Sequence, residues 1–243
     1  MPTDLPEPVA REIDRRRTKG EPFSPVTTTS ARGPVATTFW GQAWCTNLEA
    51  YADYEHRLPG GRSLLRAGHV FDLELSPGFT FAYVADTELF EVETHIAPLA
   101  DTRWSTLKQS LTGKITNLLS LLSGQLDDTT LEALTTPETG LFPAPSKITI
   151  NCNCPDHAGL CTHGAAALYA IATRFDHDPA LFFKLRGVDH TELVTAATSS
   201  AASLTDPTTT SPKSTHLTPS TLSTLFNIDL ADPDSAFPDI DPN

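Results

Sequence analysis

Apolar residues recur at two different periods along this chain, and the switches between them lay out its elements. From Thr37, the stretch TTFWGQAWCTNLEAYADY carries Trp40, Trp44, Leu48 and Tyr51 at helical spacing. That spacing predicts a buried helix, with Thr37 or Thr38 as its cap. Leu58-Pro59-Gly60-Gly61 predicts a turn. The period then shortens to two. Val70 to Leu75, Phe79 to Val84 and Phe90 to Ile96 predict three strands of an antiparallel meander, with Pro77-Gly78 as the first turn. Asp72, Glu74, Glu91 and Glu93 fall on alternate positions and predict one wet face, opposite Phe71, Leu73 and Leu75. A helical stripe of Trp104, Leu107, Leu111, Ile115, Leu118, Leu119 and Leu122 is the expected cover, with Asp101 before it as a cap.

A short helix is expected over Thr129 to Leu134. Leu141-Phe142-Pro143 ends this part, and Lys147 to Ile150 predicts a strand running into Cys152. Ala165 to Phe175 predicts an alanine-rich helix. Asp178-Pro179 opens another over Ala180 to Leu185, which Arg186-Gly187 closes, and a last helical piece is expected over His190 to Ala197. The expected fold is α+β: a small antiparallel meander with helices, then a compact strand–loop–helix unit, then an acidic tail. The expected divisions are a flexible arm at 1–36, the α+β part at 37–145, the strand–loop–helix unit at 146–197, and a Thr/Ser/Pro-rich tail at 198–243. Within that tail, Thr218-Pro219 followed by Leu222, Leu225 and Phe226 predicts a candidate docking helix.

Charge restricts the possible partners. The formal net charge is −13, which disfavours general coating of a phosphate backbone. The charge is uneven, with Arg11, Arg15, Arg16, Arg17 and Lys19 near the start and Asp229, Asp232, Asp234, Asp239 and Asp241 near the end. Glu7, Glu12, Asp14 and Glu21 surround the basic cluster, which favours a solvated tail. No apolar run reaches the length of a membrane span, and the first twenty residues lack the apolar centre of a secretory peptide. Cys45 has no spare partner if the other three cysteines bind metal, which fits a reducing cytoplasm.

Those three cysteines carry the chemistry. NCNCPDHAGLCTH places Cys152, Cys154, Cys161 and His163 within twelve residues. Residues two apart on an extended chain point the same way. A loop over Pro155 to Leu160 then returns the chain to a helix start, whose dipole favours thiolate charge. Three thiolates and an imidazole suit one closed tetrahedral Zn²⁺ site that builds structure. His157 is a rival donor inside the loop; the paired arrangement favours His163. A redox dithiol would show C-x-x-C, and an iron–sulfur cluster four cysteines.

The order C-x-C, a loop beginning Pro155-Asp156, and C-x-H entering an alanine-rich helix resembles the SWIM-type zinc finger. The resemblance extends to Phe39-Trp40-Gly41 with Trp44, Arg57-Leu58 before Gly61-Arg62, Gly68 to Gly78, Leu141-Phe142-Pro143, and Leu168 to Gly187. It thus covers Phe39 to Gly187 and points to a bacterial branch encoded beside Swi/Snf-type helicases. Two positions depart from the pattern: Thr162 stands where a basic residue is common, and His157 where an aromatic residue is common. The resemblance implies a non-enzymatic zinc module that binds DNA or a DNA-handling protein. Lys147, Arg174, Lys184 and Arg186 are the candidate phosphate contacts near the finger. Four cations against −13 favour a protein partner, such as a Swi/Snf-type helicase, over tight DNA binding. A purely structural zinc-stabilised subunit is the alternative. No G-x-S-x-G, P-loop or H-E-x-x-H motif supports an enzyme, and the pairs Asp127-Asp128 and Asp176/Asp178 lie where helix caps are expected.

Overall fold

The computed structural model describes residues 5–21, 23–28, 32–137, 139–156 and 158–194. His157, the end of the last helical piece, and the whole tail with its docking segment lie outside them. The described helices are α1 (Glu7–Thr18), α2 (Phe39–Glu49), α3 (Leu58–Arg66), α4 (Asp101–Ser110), α5 (Leu118–Ser123), α6 (Asp128–Thr135), α7 (Thr162–His177) and α8 (Ala180–Leu185). The strands are β1 (Val70–Ser76), β2 (Phe79–Ala85), β3 (Leu89–Ile96) and β4 (Ile148–Cys152). They form one antiparallel sheet in the order β1-β2-β3-β4. The expected meander is therefore extended by β4, whose Cys152 lies opposite Val92 and Ile148 opposite Ile96.

The cover of the sheet differs from the expected one. The predicted helix from Trp104 to Leu122 is broken in two around Gly113, whose φ of 76° cannot continue a helix. Trp104, Leu107, Leu111, Ile115 and Leu121 are buried, whereas Leu119 is 77% exposed. The helix packed along all four strands is α7. Its alanines allow close approach, and every residue from His163 to Thr173 is buried. Behind α7 lie α2 and α3. Trp44 donates its indole N–H to the Leu168 carbonyl at 3.0 Å, and Trp40 donates to Leu121 at 3.0 Å. Both indoles join a cluster with Phe142, Phe175, Phe182 and Phe183. One apolar core crosses the expected 145/146 division, holding Trp40 and Val84 together with Ile148 and Ala165.

Two further expectations are corrected. Leu58-Pro59-Gly60-Gly61 begins α3 instead of forming a turn, because Pro59 sits in the first helical turn, where its missing N–H costs nothing. The sheet's second face is not uniformly wet. A register shift between Val70 and Asp72 turns Phe71 away from Leu73. Phe71 and Ala85 instead bury against Val9 and Ile13 of α1, a helix in the segment expected to be a flexible arm. Asp72 is buried as well and accepts a hydrogen bond from the Ser24 N–H at 2.9 Å.

The glycines of α3 have separate uses. A Cβ on Gly61 would lie 2.6 Å from the Ala165 carbonyl carbon and 2.7 Å from the Ala166 nitrogen, so α3 and α7 touch backbone to backbone. A Cβ on Gly60 would meet only the Thr162 side chain, at 2.8 Å. Gly61→Ala is expected to destabilise by about 1–3 kcal/mol through overpacking. For Gly60→Ala, the gain of about 1 kcal/mol in helix propensity offsets a small rearrangement of Thr162. Thermal unfolding of the two variants separates them; equal melting temperatures would contradict the close α3–α7 contact.

Candidate metal centre

The end of β4 and the start of α7 bring the four predicted residues together. The donor atoms of Cys152, Cys154, Cys161 and His163 all lie within 4.8 Å of one another. Sulfurs sharing one tetrahedral zinc at about 2.3 Å each would stand about 3.8 Å apart, so the group could hold a metal ion after a small contraction. Cys152 is fixed by the β3–β4 ladder. The next residue extends it, as the Asn153 N–H donates to the Glu91 carbonyl at 3.3 Å and its Oδ1 accepts from the Glu91 N–H at 3.0 Å. Cys161 is the N-cap of α7, and its Sγ accepts from the Gly164 N–H at 3.2 Å. His163 lies in the first turn of the same helix, with Nδ1 3.9 Å from Cys152 Sγ. The intervening loop is tied down by Asp156, which pairs with Arg57 at 2.9 Å and accepts from the Ala158 N–H at 3.2 Å.

The centre is shielded from water and electrically uneven. Cys154, Cys161 and His163 are buried and Cys152 is half-buried. Hydrogen bonding from Cys152 holds the Cys161 thiol far below the ordinary thiol range against the cost of burial, with help from His163 and the Gly164 N–H. Cys152 moves up correspondingly as the donor of that bond, and burial raises Cys154. Burial opposes the charged form of His163, but its contacts with Cys161 and Asp86 outweigh this and raise its pKa. The fourth cysteine behaves differently. Burial, with Glu49 and Asp176 nearby, pushes Cys45 up to about 12, the state of an inert packed thiol.

Two residues of the centre escaped the sequence reading. Asp86, in the β2–β3 turn, places Oδ2 3.3 Å from His163 Nε2. Phe90 stacks on the His163 ring with centroids 4.0 Å apart and planes 25° from parallel. An aspartate in a turn reads as a turn residue, and no local signal links it to a histidine 77 positions away.

The candidate phosphate contacts fare unevenly. Arg174 donates to the Ser24 carbonyl at 2.6 Å and hydroxyl at 2.7 Å, and burial lowers its pKa. Arg186 is 3% exposed, donates to the Ala97 carbonyl, and is lowered to about 10 by burial. Arg186 is an internal strut, which corrects its reading as a phosphate contact, whereas Arg174 is half-buried with its guanidinium engaged by Ser24; Lys147 and Lys184 are exposed. In α1, Arg11 pairs with Glu7, and Arg15 and Arg16 share Glu12. Of the acidic pairs, Asp127 caps the start of α6, while Asp176 lies inside α7 and holds the residues that precede α2. Asp127 accepts from the Thr130 N–H at 3.0 Å, and Asp176 from the Thr37 and Thr38 N–H groups at 2.6 and 3.0 Å.

A search of known proteins returns a relative without a described activity. The chain is 29% identical, over 168 residues, to the protein described as "Uncharacterized protein Rv2102" of Mycobacterium tuberculosis (strain ATCC 25618 / H37Rv). The match covers 68% of this chain and 60% of that protein. No family model matches the chain, and no solved structure matches it. Among the described residues, no helix is long and apolar enough to cross a membrane.

Proposed function

We propose that Cys152, Cys154, Cys161 and His163 bind one structural zinc ion, and that the chain is a non-enzymatic interaction module of the SWIM type. The observation that carries this reading is the convergence of three thiols and one imidazole within 4.8 Å. Such a set fills a tetrahedral shell with protein atoms and leaves no position for a reacting water. The nearby carboxylate of Asp86 lies at the far nitrogen of His163, which gives it a supporting place instead of a catalytic one. When bound, the ion would supply cross-linking energy between β4 and α7. Elemental analysis of the purified chain tests the reading: about one zinc per chain is expected, and none would overturn it.

The partner in this proposal is a protein, and the resemblance points to a Swi/Snf-type helicase. Nucleic acid is the weaker ligand. The chain is strongly acidic overall, and Arg174 and Arg186 are engaged by backbone carbonyls of the chain itself. Duplex binding through Lys147 and Lys184 alone would give a slope of log affinity against log salt of about −2. A slope of −5 or steeper would favour DNA as the principal ligand. No salt-dependent binding, together with failure to co-purify with the helicase, would favour the purely structural subunit.

A further inference from the structure

We infer that Asp86 is the positioning residue that presents Nδ1 of His163 to the metal, so that the affinity of the centre is set partly from outside the strand–loop–helix unit. This rests on the zinc reading above. A neutral imidazole carries one N–H and one lone pair, and the partner of one nitrogen decides the role of the other. Here the carboxylate of Asp86 lies 3.3 Å from Nε2, while Nδ1 faces the sulfur cluster 3.9 Å from Cys152 Sγ. The proton is thereby held on Nε2, and the Nδ1 lone pair is left for the ion. Phe90 fixes the ring plane from one side, and within that plane a turned-over imidazole would lose the Asp86 contact at Nε2 and the approach of Nδ1 to the sulfurs.

The geometry is supported from the backbone outward. The Asp86 N–H donates to the Glu88 carbonyl at 2.9 Å and closes the β2–β3 turn. The Ala85 N–H donates to His69 at 2.8 Å and fixes the strand end before it. Phe90 lies in β3, which pairs with β4 up to Cys152. The hairpin and the metal ligands are therefore parts of one sheet, and the Asp86–His163 contact closes the loop between them. The Asp86 side chain remains 45% exposed, so water still solvates the carboxylate and holding it there costs little.

The test uses the full chain loaded with Zn²⁺, against a chromophoric chelator, for wild type, Asp86→Ala and Asp86→Asn. Loss of a carboxylate behind a metal-bound histidine costs about 10–100-fold in affinity. Asp86→Ala should raise the apparent Kd by that factor. Asp86→Asn, which keeps an accepting oxygen without the charge, should raise it less. Spectra of the ¹⁵N-histidine-labelled zinc form should show the His163 proton on Nε2 and the metal on Nδ1, a readout that a merely structural role for Asp86 would not require. Should Asp86→Ala fail to fold, the asparagine variant and the wild-type spectrum still decide. Zinc on Nε2, or a Kd within twofold of wild type in the variants that fold, would overturn the inference while leaving the zinc reading intact. A wild-type chain that takes up no zinc would sink both.

Discussion

Cys161→Ser is expected to lose zinc and to lower the unfolding free energy by about 4 kcal/mol, the linkage contribution of a ligand at about a thousand times its Kd. The substitution is chosen because serine is itself a good N-cap. Its hydroxyl can replace Sγ as acceptor for the Gly164 N–H, so the start of α7 keeps its cap and the metal ligand is the main loss. The effect spreads beyond the loop. β4 is paired to β3, and α7 lies along the whole sheet, so cross-link energy at their junction is folding energy for the core. Urea unfolding of wild type with and without chelator, and of Cys161→Ser, checks this. The variant should match the chelated wild type and gain nothing from added zinc. A variant with full zinc content and an unchanged midpoint would remove Cys161 from the ligand set.

Trp44→Ala should destabilise by about 3–5 kcal/mol, the range for deleting a large aromatic from a packed core. Trp44 is fully buried. It donates to the Leu168 carbonyl in the middle of α7 and meets Phe175 edge-on at 5.6 Å. It therefore seats α2 on the side of α7 away from the sheet. The loss is a cavity together with one buried hydrogen bond, and it acts without touching a ligand. Chemical denaturation should show a lower midpoint for Trp44→Ala both with and without zinc, in contrast to Cys161→Ser. A loss below about 1 kcal/mol would mean that α2 is not anchored through this indole.

The local features were legible because their causes are local. Alternation along Val70 to Ile96 marks strands wherever one face is buried, and three strands appear near the expected limits. The cysteine and histidine spacing specified the donor set because all four residues lie on a short strand end, loop and helix start. There the chain geometry itself brings Cys152 and Cys154 toward Cys161 and His163. Asp127 was legible as a cap for the same reason, whereas Asp176, expected at the boundary of its own helix, instead accepts from the N–H groups before α2, 139 positions away. Leu58 to Gly61 misled, because proline and glycine favour a turn in isolation. In the fold, Pro59 starts a helix and Gly61 admits the α7 backbone.

What the sequence by itself determined, then, is the period of most elements and the cluster of three cysteines and a histidine carried by one short segment. Tertiary structure alone decided which faces meet. The alanine-rich α7, and not the leucine stripe of α4 and α5, covers the sheet, since small side chains let it approach four strands at once. Only the assembled sheet brings β4 beside β3 and swings Phe71 across the bulge toward α1. The same assembly ties Arg174 and Arg186 to backbone carbonyls and brings Asp86 to His163. The physical reason is common to all of these. Periodicity records burial along one element, but the partner of a buried face is set by the summed fit of surfaces far apart in the chain, and no local pattern carries that sum.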